Sequence, residues 1–257
     1  MCRKDFTEFQ EGEGSQEVVS FEFLTERERK LISSLEPPIT SIVTAHHTLI
    51  EQGGKSRITS SVLSEKVRSL RIAGTLIFVF ATQFSIVMII SESIYPGYSV
   101  ANNYISDLGV KSTGPLFDTS ISILGIAVIA SSYFLSRGLG SRIFGVLVAL
   151  VGIGSLCVGI FNESFGLIHG LVSLVTFVSG ALAAIYGFRV EGAPMKYISV
   201  VLGVISLAAL VISIVVPKGF GLGVGGIERM IVYPFLLWGI AFGGYLMGYS
   251  VPREIAT

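Results

Sequence analysis

After residue 71 ionisable and amide side chains are scarce, and they gather at the breaks between apolar runs. Residues 95–109 read YPGYSVANNYISDLG and carry Tyr95, Tyr98, Asn102, Asn103, Tyr104, Ser106 and Asp107, with Glu92 before them and Lys111 after. A second break holds Asn162 and Glu163, followed by His169, and a third holds Glu228, Arg229 and Tyr233. His169 is suited to general-base work, with Asp107 or Glu228 as its orienter and Asn103 as a donor to an oxyanion or headgroup. Arg229, helped by helix amino ends, is suited to a phosphate or carboxylate. The expectation is that Asp107, His169, Glu228 and Arg229 converge, with Asp107 against Arg229 and His169 close enough to share a ligand. Tyr98, Asn102, Asn103, Asn162, Glu163 and Tyr233 complete the candidate ligand-binding set.

Plainer roles compete with these. Asp118, Glu163 and Glu228 lie at or near helix starts, where carboxylates offset the dipole. An Arg229–Asp107 pair can simply tie two loops together, and His169 can be a hydrogen-bonded packing residue. The tyrosines match an interfacial belt. No His-x-x-x-His spacing occurs, so neither metal nor cofactor is expected. No serine elbow is visible and Cys157 lies deep in an apolar run, so no covalent nucleophile stands out. Asn162-Glu163-Ser164 forms a sequon too close to the membrane for modification.

The elements that must position these residues are membrane spans. The chain has 257 residues, and only 14% are charged, against about 25% in soluble domains; mean hydropathy is +0.73. Six segments reach the roughly 20 apolar residues that a bilayer core requires: 72–91, 116–136, 143–161, 167–188, 197–216 and 230–250. Lipid leaves helices as the reading, so the expected fold is an all-α six-transmembrane-helix bundle with a polar N-terminal extension. The expected divisions are 1–71 for the extension, 72–250 for the bundle and 251–257 for a short tail. Gly239 with Gly243, and Gly244 with Gly248, sit four apart and suit close helix packing inside one bundle.

Residues 1–71 hold 10 of the 18 Lys and Arg and 11 of the 18 Asp and Glu. Residues 24–32 and 60–70 read as amphipathic helices, the first opening on a Thr25/Glu28 capping box. Adjacent His46 and His47 point apart on a helix and make a poor metal pair. Residues 1–60 should be dispensable for folding of the bundle. The first 35 residues are acidic and lack an apolar core, so no secretory leader is expected. Cys2 and Cys157 lie in different settings and should not pair. Zero net charge gives no footprint for nucleic acid. The expected partner is membrane lipid, with a monomer favoured.

Lysine and arginine set the expected orientation in a cell membrane. Lys66, Arg68, Arg71, Arg137, Arg142, Arg189, Lys196 and Arg253 flank one side; Lys111, Lys218 and Arg229 flank the other. Both termini are then cytoplasmic, and the three polar breaks face outward.

Tyr95-Pro96-Gly97-Tyr98, Asn103-Tyr104-Ile105-Ser106-Asp107-Leu108-Gly109, Leu167-Ile168-His169-Gly170, Gly226-Ile227-Glu228-Arg229 and Tyr233-Pro234 occur in this order. Over about residues 72–250 the chain resembles the prokaryotic membrane-protein family called domain of unknown function 998. That resemblance implies a six-helix membrane domain and no established activity. The 103–109 stretch alone is also similar to the eukaryotic autophagy-modulator and glycolipid-anchor-remodelling membrane proteins, which points toward lipid-linked work.

Three functions follow. The leading one is binding of a lipid headgroup or small anionic ligand at the outer polar cluster. The second is a membrane-embedded hydrolase or transferase acting on lipid through His169 with Asp107 or Glu228. The third is transport of a small neutral solute, which the lack of midplane charges and of matching repeats disfavours.

Overall fold

The computed structural model describes residues 56–216 and 219–249. The expectations for 24–32, the Thr25/Glu28 box, His46, His47, Cys2, Lys218, Arg253 and the tail fall outside the described residues. Six helices make up the described part: α1 Ser56–Ile94, α2 Gly114–Leu139, α3 Arg142–Ile160, α4 Leu167–Tyr186, α5 Met195–Val215 and α6 Gly223–Met247. Each is long and apolar enough to cross a membrane. There is no strand among the described residues.

Local chemistry marks the boundaries. Pro115 sits in the first turn of α2, where its missing N–H costs nothing. Gly140 ends α2 in the left-handed conformation (φ 67°). One residue later Ser141 caps α3 by accepting from the Phe144 N–H. Residues 56–73 contain neither glycine nor proline, and α1 runs through them unbroken for 39 residues. At 1.5 Å per residue that is about 58 Å, nearly twice a bilayer core. The first helix therefore starts well before the composition break at residue 71. Leu63, Val67 and Leu70 share one face and are buried, while Lys66, Arg68 and Arg71 lie off that stripe and are exposed.

Each helix packs on the next, and α6 closes the ring against α1 while also touching α4. The closure depends on missing side chains. A Cβ on Gly243 would stand 2.7 Å from the Phe78 nitrogen and 2.8 Å from the Gly74 carbonyl oxygen. Gly243 thus serves packing within the bundle, while Gly239, Gly244 and Gly248 leave room for a Cβ with no close contact to another helix. Inside the ring Trp238 stacks on Phe242 at 5.3 Å, and Phe144 meets Phe242 edge-on at 5.4 Å. Large apolar side chains also cover the outside, with Leu167 79% and Ile214 72% exposed. Water does not tolerate so continuous an apolar surface, but lipid does. The chain is a multi-pass membrane protein.

Helix alternation puts the loops after α1, α3 and α5 at one end, here called the loop end. The start of α1, the α2–α3 turn and the α4–α5 link lie at the other.

Candidate functional site

The loop after α1 folds into the bundle rather than away from it. Ile105 and Leu108 are buried and anchor it, and the Thr113 hydroxyl donates to the Leu108 carbonyl at 2.7 Å. Its 99–105 segment docks on the first turn of α6. Gly225 N–H donates to the Ala101 carbonyl at 3.0 Å, and a Cβ on Gly225 would stand 2.0 Å from the Asn103 carbonyl oxygen. Glycine is what permits that approach.

Arg229 locks this docking from α6. Its Nη1 donates to the carbonyls of Val100 at 3.0 Å, Asn103 at 3.3 Å and Gly225 at 2.8 Å. Its Nη2 donates to Glu92 Oε1 and to the Tyr98 hydroxyl, each at 2.5 Å. The Tyr98 ring lies 5.5 Å from the guanidinium carbon, and Tyr233 lies within hydrogen-bonding reach. Burial pushes the Tyr98 phenol up to about 12, so it stays protonated and donates to the Tyr104 carbonyl at 3.0 Å. The expected Asp107–Arg229 contact is not formed. Glu92, at the end of α1, is the arginine's partner, and both terminal nitrogens are fully engaged.

Asp107 faces the other way. Its Oδ2 accepts from Asn103 Nδ2 at 2.8 Å and from the Tyr104 N–H at 3.0 Å. Asn103 therefore joins the two groups, carbonyl toward Arg229 and amide toward Asp107. Glu163, from the α3–α4 turn, comes within hydrogen-bonding reach of Asp107 and Ser106. Burial, and then the neighbouring Asp107, push its carboxyl up to about 7. Glu228 accepts from the Ile105 N–H through Oε2. Burial, and then the carboxylates of Glu228 and Glu163, also hold the Tyr104 phenol above its ordinary value.

Asn162 is fully used. Its amide donates to the Gly109 carbonyl and to Asp118 Oδ2, both at 3.1 Å, and its oxygen accepts from Ser164. Asn102 is exposed and bonds only within the turn to Ser99, away from the rest. His169 turns inward: Nδ1 lies 2.9 Å from the Phe161 carbonyl and Nε2 3.3 Å from Ser173 Oγ.

Beneath these groups lies a cavity of about 60 Å³. His169, Ser173, Ser106 and Glu228 contribute polar surface to it, and Phe84, Phe117, Phe177 and Phe235 supply much of the apolar wall. A second cavity of about 60 Å³ lies among Ile77, Val128, Val148 and Trp238. Leu124, Ser155, Phe235 and Leu236 line both. The arrangement is a polar head over a narrow apolar slot. The structure thus brings His169 and Glu228 to one cavity, places Asp107 and Glu163 at its rim through Ser106, and sets Arg229, Tyr98 and Tyr233 in an adjacent clamp. No group of His, Cys, Asp and Glu suited to a metal ion occurs among the described residues.

Some residues were not singled out by sequence. Gln83 reaches Ser120 across α1 and α2 at 2.7 Å. Glu191, at the opposite end, is 1% exposed and accepts from Trp238 Nε1 at 3.0 Å and from Ser199; burial raises its carboxyl. Its Arg-Val-Glu setting reads as an ordinary solvated link, and only the three-dimensional path of Trp238 reveals it.

A family model described as a protein of unknown function (DUF998) matches residues 72–245. The chain belongs to that family. Nothing among the curated proteins and nothing among the solved structures matches it.

Proposed function

We propose that this member of the DUF998 family binds a single-chain, lipid-like amphiphile, with its head at the loop end and the first few carbons of its chain in the slot between α1, α2, α3, α4 and α6, whose two cavities are about 60 Å³ each. The observation that carries this is the paired cavity: polar at His169, Ser173, Ser106 and Glu228, apolar beyond, and continued toward Trp238. An amphiphile matches that gradient, since each buried methylene contributes about 0.8 kcal/mol while the head keeps polar partners.

The acceptors at the rim favour a head that donates hydrogen bonds. Asp107, Glu163 and Glu228 gather there, and the buried Glu163 Oε2 accepts no hydrogen bond. The cation that would favour an anionic head, Arg229, is already paired with Glu92. A hydroxyl- or amine-bearing head therefore fits better than the phosphate or carboxylate suggested by arginine alone. A like charge at about 4 Å costs several kcal/mol at a partly buried site.

The test is binding of a fluorescent 1-alkylglycerol ether and of a lysophosphatidate of equal chain length to the purified protein in detergent. The glycerol ether should bind at least about tenfold more tightly, equivalent to about 1.4 kcal/mol. Phe235→Trp, which narrows the slot, should weaken it. Tighter binding of the phosphate-headed lipid would overturn the assignment of the head; no binding of either would overturn the site.

A further inference from the structure

A helical serine ordinarily donates to the carbonyl one turn back, and this molecule follows that habit. Ser85, Ser131, Ser136 and Ser179 each bond the carbonyl four residues earlier, at 2.6–2.9 Å. Ser206 departs from it by donating to the Ile231 carbonyl of α6, and Ser173 departs from it in another way. Its hydroxyl meets His169 Nε2 at 3.3 Å, within the same cavity wall. The other ring nitrogen settles the direction. The Phe161 carbonyl, 2.9 Å from Nδ1, can only accept, so in the neutral ring Nδ1 carries the hydrogen and Nε2 presents a lone pair. Ser173 O–H then donates to Nε2. A hydroxyl held on a base whose far side is fixed by a third group is the geometry of an activated nucleophile.

Ser173 lies six residues into α4, about 9 Å below its start at 1.5 Å per residue. The loop-end half of α4 also presents Leu167, Leu171 and Leu174 outward, so the pair sits one helix thickness from the surrounding lipid.

Building on the amphiphile-binding reading above, we propose that Ser173 and His169 form a nucleophile–base pair that hydrolyses an acyl ester of the bound amphiphile. Ser173 Oγ attacks the ester carbonyl carbon as its proton passes to His169 Nε2. The tetrahedral intermediate collapses with cleavage of the carbon–oxygen bond, and the departing alcohol takes the proton from Nε2. Water then attacks the acyl-serine, again giving a proton to Nε2. Release returns that proton to Ser173 and frees the carboxylic acid, so ester and water become acid and alcohol.

The experiment is covalent labelling of the full chain in detergent by a long-chain alkyl fluorophosphonate, read by intact mass and peptide mapping. Binding of the unreactive 1-alkylglycerol ether is measured alongside. Wild type should gain one adduct on Ser173. Ser173→Ala should gain none while its thermal midpoint shows it folded, and His169→Gln should label roughly 100-fold more slowly, the usual loss on removing a general base. Ether binding without an adduct overturns the nucleophile and leaves the binding site standing. An adduct that persists in Ser173→Ala also overturns it. Absence of both binding and labelling overturns the two readings together.

Discussion

At Arg229 two loop carbonyls, the Gly225 carbonyl of α6, Glu92 and Tyr98 converge on one guanidinium that is nearly shielded from solvent, its side chain 6% exposed against 17% for Glu92. Removing one member of a buried pair leaves the other charge without compensation, a loss of about 3–5 kcal/mol. Arg229→Ala should therefore lower the thermal midpoint in detergent sharply, and Glu92→Gln should do likewise. An Arg229→Ala protein with unchanged midpoint but lost ligand affinity would return the arginine to a headgroup role. Glu163 gives the pH prediction. Its folded-state carboxyl titrates at about 7, above its ordinary 4.5, so between those values the native state holds the proton that the unfolded chain has released. Its contribution is fully present below pH 4.5 and is lost as pH rises through about 7. The thermal midpoint should fall over that window in wild type and fall less in Glu163→Gln; equal slopes would remove Glu163 as the cause. The polar loops were legible because any acid, amide or histidine stands out against apolar spans. Their pairing was not. Glu92 and Asp107 are both far from Arg229 in sequence, and the choice between them depends on helix azimuth and on an inward fold of the loop. Ser173 was hidden because serine is common in these spans and only its partner distinguishes it.

Among the elements, α2 to α5 lie within a few residues of where apolar length places them, because glycine, proline and capping residues close their breaks. In contrast, α6 starts at Gly223, seven residues before the expected 230, so that Glu228 and Arg229 belong to the helix and not to the break. The first helix differs for a physical reason. Its amphipathic and apolar stretches have different compositions, yet no breaker separates them, so one helix crosses both. The spacing of Leu63, Val67 and Leu70, four residues and then three, is a helical stripe that continues into the bundle. Leu70 is 2% exposed, and Leu70→Ala should cost about 2–5 kcal/mol, as for a core leucine. A shift in midpoint no larger than that of Val62→Ala, an exposed position on the same helix, would place this turn outside the packed unit. The α1–α6 seam makes a stricter demand. A side chain at position 243 would meet backbone, which cannot rotate away. Gly243→Leu should therefore separate the helices and yield aggregated protein on size exclusion, whereas Gly170→Ala, where nothing lies within 4 Å, should remain monodisperse. Monodisperse Gly243→Leu at wild-type midpoint would contradict the seam.

Over the whole molecule the two ends differ in free positive charge more than a count of residues suggests. At the end where α1 begins, Lys66, Arg68, Arg71, Arg137, Arg142 and Arg189 are exposed, with Lys196 partly so. At the loop end Arg229 is buried and neutralised by Glu92. That leaves Lys111 as the exposed cation among the described residues there, held above its ordinary value by its hydrogen bond to Tyr95. Orientation responds to lysine and arginine near span ends in short loops, and a guanidinium tied to a carboxylate inside the fold adds little field outside it. The proposed topology, with the loop end away from the cytoplasm, therefore rests on a wider asymmetry than eight residues against three. Ser112 and Phe220 lie exposed at the loop end, and Ser141 lies at the other. In a background lacking Cys2 and Cys157, Ser112→Cys and Phe220→Cys should each react with a membrane-impermeant maleimide in intact cells. Ser141→Cys should react only after lysis. The reverse pattern would invert the molecule in its membrane, turn the acid-rimmed cavity toward the cytoplasm and require its amphiphile to come from the inner leaflet.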